Sequence, residues 1–194
     1  MQSYGLSDKQ LVHLYAKGSE KALEVLLHRH KRKLFSYINT MVKDRQKAED
    51  LFQDTFIKVI DQIKSGRYKE QERFLPWLYR IAHNLVIDTL RKDKKMIMER
   101  ANEKYDPLEH IQAHDTSIED KINQVGNAYL LRMLIKQLPD NQQEVLIMRH
   151  YSDMSFKEIA DVTNVSINTA LGRMRYALIN LRKLMEDHQL HMVA

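Results

Sequence analysis

Apolar residues in this chain return every three or four positions over long stretches, and few residues interrupt them. Ala48, Leu51, Phe52, Thr55, Phe56, Val59, Ile60 and Ile63 keep that spacing over several turns. So do Leu78, Ile81, Ala82, Leu85 and Thr89, and later Ala170, Met174, Ala177, Leu178, Leu181 and Leu184. This is the repeat of a helix with one buried face. A half-buried strand needs alternation instead, and no long alternating run competes. Turn residues are also scarce, with five glycines and three prolines in 194 residues, whereas an all-β chain needs many. The expected fold class is all-α.

The periodicity fades between Asp93 and about Asn123, a stretch that contains Asp106-Pro107 and the run Gln112-Ala113-His114-Asp115-Thr116. Long irregular loops are uncommon inside one compact domain and natural between two. The organisation expected is two small helical domains, residues 1–95 and 117–194, joined by a flexible linker at 96–116. Charge divides the same way. Residues 1–95 hold 20 Lys and Arg against 12 Asp and Glu, residues 96–116 hold 2 against 5, and residues 117–194 hold 9 of each. Within the last part, Val162 to Met185 carries Arg173, Arg175, Arg182 and Lys183 and no acid. Basic zones on particular elements suit nucleic-acid binding, although an ordinary solvated helix face has the same composition.

Several classes drop out. The chain has no cysteine, which excludes disulfides and thiolate metal sites. No apolar run is long enough to span a membrane. Met1 to Asp8 has neither the basic start nor the apolar core of a signal peptide, so the cytoplasm is the expected compartment. His28 with His30, and His110 with His114, have ligand-like spacings. Without a His-Glu-x-x-His pattern or cysteines they do not make a metal site, and no cofactor is expected. No Gly-rich phosphate loop or nucleophile elbow is present, so neither an enzyme nor a small-molecule substrate is expected.

The strongest local pattern lies in Ser155 to Lys183. Ser155 and Glu158 form a capping box that opens a short helix, Phe156 to Val162. Thr163-Asn164-Val165 supplies a tight turn, with Asn164 suited to the left-handed conformation. Ser166 then caps a longer helix. A short helix, a tight turn and a longer basic helix is the layout of a helix-turn-helix, whose second helix enters the DNA major groove. Asn168, Leu171, Gly172, Arg175, Tyr176 and Arg182 face outward when the apolar residues face in. Arg175 and Asn168 are placed for base edges or phosphates. Two packed helices without a DNA role would share much of this pattern.

Two further segments stand out. On the helix from Ala48 to Ile63, Ile57 points away from the apolar stripe and is ringed by Asp50, Gln53, Asp54 and Asp61. A lone exposed isoleucine is ordinary, but one among carboxylates fits a basic protein surface. The second segment, Arg73 to Arg80, gathers Phe74, Trp77 and Tyr79 with two arginines. The helix that follows presents Arg80, Asn84, Asp88, Arg91 and Lys95 as one polar stripe. Aromatics mixed with cations suit unstacked bases, while Phe74 and Trp77 would equally serve as core. The preceding loop, Ser65 to Glu72 with Arg67, is polar enough to lie exposed and close over a base.

In this order and spacing, these pieces resemble the sigma factors of the extracytoplasmic-function type. Ala48-Glu49-Asp50-Leu51-Phe52-Gln53-Asp54-Thr55-Phe56 looks like the family's core-polymerase docking motif. Trp77-Leu78-Tyr79-Arg80-Ile81-Ala82-His83-Asn84 looks like its promoter-melting segment, and Leu138-Pro139, Glu144-Val145 and Ser155 to Ala177 look like its second conserved domain. The resemblance implies that Asp50, Gln53 and Asp54, beside Ile57 and Asp61, contact the clamp helices of core RNA polymerase. It implies that Arg67, Trp77, Arg80, Asn84, Asp88 and Arg91 read and open the −10 element of promoter DNA. The −35 element would fall to Ser166, Asn168, Thr169, Leu171, Gly172, Arg173, Arg175 and Tyr176. Family members are often held by an inhibitory anti-sigma factor, and no residue here marks such a contact.

The chain departs from the family where Leu171-Gly172 replaces a basic residue followed by Ser, where Tyr176 replaces an Arg before Ala177, and where Asp153 replaces a frequent Gly. The −35 sequence therefore does not transfer from relatives. The competing reading is a helix-turn-helix regulator that binds duplex operator DNA without polymerase. Limited proteolysis of the free protein is expected to cut between about Lys94 and Asn123 and leave two helical fragments. Cleavage elsewhere, with that stretch protected, counts against two domains.

Overall fold

Four helices begin at a side-chain cap, at Ser7, Asp44, Ser155 and Ser166, and the helices bury the face that the apolar spacing marks. The computed structural model describes residues 5–69, 73–102 and 127–187, and among these every regular element is α-helical. α1 (Asp8–Ala16) opens at Ser7, which forms a capping box with Gln10. α2 (Glu20–Val42) ends at Lys43 in the left-handed conformation. The next residue, Asp44, starts α3 (Arg45–Lys64) by accepting from the amides of Gln46 and Lys47. α4 (Phe74–Asn102) completes a front group. The rear group is α5 (Asn127–Ile135), α6 (Asp140–His150), α7 (Phe156–Thr163) and α8 (Ile167–Asp187).

α3 buries Ala48, Leu51, Thr55, Phe56, Val59 and Ile63, as its spacing requires, with Phe52 and Ile60 half-buried. α4 differs from expectation in length, because residues 96–102 of the expected linker continue it. Met96 to Ala101 contains no helix breaker, and a Lys95–Glu99 pair one turn apart at 3.7 Å supports the extension. The rest of that linker, together with the start of the expected second domain through residue 126, lies outside the described residues. Leu178 also departs from expectation and is 39% exposed. The buried side of α8 is set by Ala170, Met174 and Ala177, and Leu178 stands about 100° further round.

In the front group α2 packs on α1, α3 and α4, and in the rear group α8 packs on α5, α6 and α7. The groups also meet, α2 against α6 and α4 against α7, so one cluster of buried side chains runs through both. At the centre of that junction is a carboxylate. Glu144 of α6 is 5% exposed, and its Oε1 accepts from Tyr37 Oη of α2 and from His83 Nδ1 of α4, each at 2.8 Å. Tyr79 and Ser152, both fully buried, bond beside it at 2.5 Å. Burial and the neighbouring Glu144 hold Tyr37 well above the usual tyrosine range, and burial pushes Tyr79 up to about 12. Both phenols are therefore neutral at physiological pH, and Tyr37 donates to the carboxylate. At the rim, Lys33–Asp153 at 3.1 Å, Lys43–Asp140 at 2.8 Å and Arg73–Glu158 at 2.5 Å join the same two groups. Asp153 has a φ of 54°, a left-handed backbone that favours glycine, which accounts for the family's preference at that position.

Removing the carboxylate takes the shared acceptor from the buried Tyr37 hydroxyl and the part-buried His83 ring, leaving only their own 3.2 Å contact. Glu144→Ala is expected to destabilise the fold by about 1–3 kcal/mol. For a chain of this size that is a fall of roughly 2–4 °C in melting temperature per kcal/mol. Arg45→Ala removes an exposed pair with Glu49 and should change stability by less than about 0.5 kcal/mol. Equal melting temperatures for the parent and Glu144→Ala would mean that the junction does not stabilise the fold.

Candidate docking and nucleic-acid interfaces

α3 turns one polar face outward because its apolar stripe is engaged on the other side. Ile57 is 62% exposed, and Asp50, Gln53 and Asp54 are exposed around it. Neither Asp50 nor Asp54 makes a hydrogen bond or ion pair within the chain among the described residues. Asp61, the fourth polar neighbour, is engaged internally by Arg67, which also donates to Ser65 at 2.8 Å. Ile57 thus keeps two free carboxylates and one amide on the side nearer the start of α3. The loop after α3, turning through Gly66 at φ 70°, is tied back to the end of the helix.

The same loop reaches one candidate −10 residue. Tyr68 carries the loop onto α4, its ring edge-on to Trp77 at 4.6 Å, with Phe74 at 5.8 Å on the same indole. Trp77 is 6% exposed, so its ring is a packing element in this arrangement. Residues 70–72 of the loop lie outside the described residues. Arg73, which the sequence groups with the aromatics for base contact, is paired across the junction with Glu158. Arg80 is half-buried, whereas Asn84, Asp88, Arg91 and Lys95 form an exposed stripe, with Asp88 and Arg91 at 3.9 Å. His83, next in sequence to Asn84, points the other way, to Glu144. Of the paired histidines, His30 is buried against Asp8 at 2.8 Å and lies on Phe74. His110 and His114 are outside the described residues.

The helix-turn-helix forms from local rules. Glu158 N donates to Ser155 Oγ at 3.3 Å, and Ser155 N donates back to Glu158 Oε2 at 2.8 Å. Asn164 takes the left-handed conformation at φ 53° and ψ 47°, so the helix turns in fewer residues than the sequence suggests, with Thr163 still helical. Ser166 accepts from Thr169 N at 3.1 Å and bonds the Thr169 hydroxyl, which commits both residues to the cap. From there Asn168, Leu171, Arg175, Tyr176 and Arg182 are exposed, while Gly172 and Arg173 are half-buried. Arg175 and Arg182 have no acidic partner among the described residues.

Sequence reasoning had no role for Glu144, though a signal existed. Glu144 directly precedes the apolar run Val145-Leu146-Ile147-Met148, where a helix turns toward the core, and buried charges are held by partners.

Comparison with known proteins places these elements in a family. The model described as Sigma-70 region 2 matches residues 26–96, and that described as Sigma-70, region 4 matches residues 129–176. The chain is 30% identical to RNA polymerase sigma factor YlaC of Bacillus subtilis, over 87% of this chain and 97% of the relative. It is 30% identical to RNA polymerase sigma factor CarQ of Myxococcus xanthus, over 89% and 94%. It is 27% identical to the ECF RNA polymerase sigma factor SigW of Bacillus subtilis, over 92% and 97%. Two solved structures share the fold. One is CnrH in complex with the cytosolic domain of CnrY, with a TM-score of 0.64 at 20% identity over 93% of this chain and 97% of that one. The other is RpoE in complex with the anti-sigma factor NepR from Bartonella quintana, with a TM-score of 0.66 at 19% identity over 86% and 98%.

Trp77 is the chain's single tryptophan, so its surroundings can be read in solution. Its fluorescence in the free protein is expected to be blue-shifted and poorly quenched by acrylamide, then red-shifted and readily quenched on unfolding. Free quenching in the folded chain would place the indole at the surface.

Proposed function

Because this chain belongs to the RNA polymerase sigma factors of the extracytoplasmic-function type, we propose that its α3 face docks on core polymerase while α4 and α8 read the two promoter elements. It is an alternative sigma factor: it joins core polymerase and directs initiation at particular promoters. It contributes binding rather than catalysis, and it works where the polymerase is, in the cytoplasm. No helix among the described residues is long and apolar enough to cross a membrane.

The observation that carries the docking assignment is the combination on α3 of an exposed Ile57 with two unpaired carboxylates, Asp50 and Asp54, and Gln53 beside them. An apolar centre with charged surroundings suits a complementary basic surface, where charge steers association and fixes register. Asp61 belongs to the rim of the same face through its pair with Arg67. For the −10 element, the exposed Asn84, Asp88 and Arg91 are the contacts on duplex or single strand. Trp77, Arg80 and Arg67 are the proposed contacts for a base leaving the stack, with Trp77 first uncovered from Tyr68 and Phe74. For the −35 element, Ser166 and Thr169 set the start of α8 and offer its first amides to phosphate. Asn168, Leu171, Gly172, Arg173, Arg175 and Tyr176 then follow the groove. The two units proposed for these tasks are the front and rear helical groups. The separation of the region 2 match from the region 4 match supports that division. An anti-sigma factor is a further proposed partner, by analogy with the RpoE–NepR complex that shares this fold.

Charge reversal on α3 tests the docking. Asp54→Lys should leave helical content and melting temperature close to the parent's, since exposed substitutions usually shift stability by no more than about 0.5 kcal/mol. It should weaken binding to core polymerase about tenfold or more, a change of roughly 1.4 kcal/mol or above. Lys17→Ala, at the exposed end of α1, is the control. Unchanged core binding by both Asp54→Lys and Asp50→Lys would move the docking face elsewhere. A parent chain that binds promoter duplex but never core polymerase would favour the operator-binding regulator.

A further inference from the structure

The edges of base pairs in the major groove offer hydrogen-bonding groups and a single apolar one, the C5 methyl of thymine. α8 turns toward solvent a leucine that the fold does not use. Leu171 is 43% exposed. It lies in the second turn of α8, with Asn168 about one turn before it and Arg175 one turn after, away from the side where Ala170, Met174 and Ala177 are buried.

The neighbouring Gly172 is equally unexplained by the fold. Its φ is not positive, and a Cβ built on it would meet nothing within 4 Å. Glycine inside a helix also weakens it relative to alanine. A close external surface does account for it, because a helix without a Cβ at that point can bring its backbone nearer to whatever it faces.

We propose, resting on the −35 assignment above, that Leu171 is a specificity residue that reads the methyl group of a thymine in the −35 duplex, and that Gly172 lets α8 seat close enough to make that contact. The isobutyl group excludes water from the methyl. Against cytosine it would cover an unmethylated C5 and leave the amino donor without an acceptor. Arg175, one turn on and free of acids, anchors the same stretch of groove through a phosphate or a guanine edge. This explains why an aliphatic residue can stand where relatives carry a basic one: the base read at that step is recognised by its methyl rather than by its acceptors.

The test uses the full chain in holoenzyme. A promoter is first selected by the parent holoenzyme from a pool randomised over the −35 element. Each −35 thymine, on either strand, is then replaced singly by deoxyuridine, which removes the methyl and keeps every base-pairing group. One position is expected to lower promoter affinity about fourfold in the parent, the factor for losing one buried methyl. Leu171→Ala should lose affinity on the thymine template and show no further loss on the uracil template at that position, with core binding unchanged. Gly172→Ala should melt at the same or a higher temperature and still bind promoter DNA more weakly. A parent holoenzyme that transcribes yet is indifferent to uracil at every position overturns the methyl reading and leaves the sigma-factor reading standing. So does a Leu171→Ala holoenzyme that keeps the full uracil effect, or one weakened equally on all templates, as a protein-docking role for Leu171 would give. Unchanged binding by Gly172→Ala overturns the seating role of Gly172. A parent chain that neither binds core nor supports transcription overturns both readings.

Discussion

A buried carboxylate must find hydrogen-bond donors or lose more in desolvation than its charge can return. Glu144 is such a group, and its own helix group supplies neither of its recorded side-chain donors. They come from Tyr37 on α2 and His83 on α4, and the front and rear helices are therefore joined by a chemical requirement as well as by apolar contact. The Tyr37 and Tyr79 rings pack 5.1 Å apart, and Tyr79 bonds Ser152 of the rear group. The three rim pairs between lysines or arginines and acids are largely solvent-exposed on at least one side. Pairs of that kind contribute little on their own, so the junction is held from its centre.

This junction sorts the functional faces. Ile57 with Asp50 and Asp54 lies on α3, which packs chiefly against α1, α2 and α4. The outer side of α8 is exposed from Asn168 to Arg182, apart from its half-buried members. The start of α4 is different. It lies against α7, with Arg73 bonded to Glu158, the same residue that closes the capping box of the helix-turn-helix. One glutamate therefore serves both a helix start and a contact between groups, and the segment proposed for melting is the one the junction occupies.

The helix-turn-helix shows how local rules suffice for one element and fail for its use. Its start, its left-handed residue and its second cap all follow from side chains within a turn of the backbone they bond. Which faces of α8 are free depends on where α6 and α7 end up. Leu178 illustrates the limit: its spacing fits the apolar stripe, yet it stands about 100° round from Ala177 and is 39% exposed.

The sequence by itself determined the all-helical class, the buried stripe of α3, the outward Ile57 and the turn at Asn164. Each is a matter of period or of a cap reaching its own neighbours, so the information is contained in a few consecutive residues. Only the tertiary structure decided that Trp77 is sealed by Tyr68 and Phe74, that Arg67 holds Asp61, that His30 meets Asp8, and that Arg73 is bound to Glu158. It also decided what Glu144 is for. Tyr37 lies 107 residues before it and His83 lies 61 residues before it. A charge at the edge of an apolar run needs donors once it is buried, but nothing in its local sequence says which distant side chains will supply them. That is settled when packing brings α2, α4 and α6 to one place.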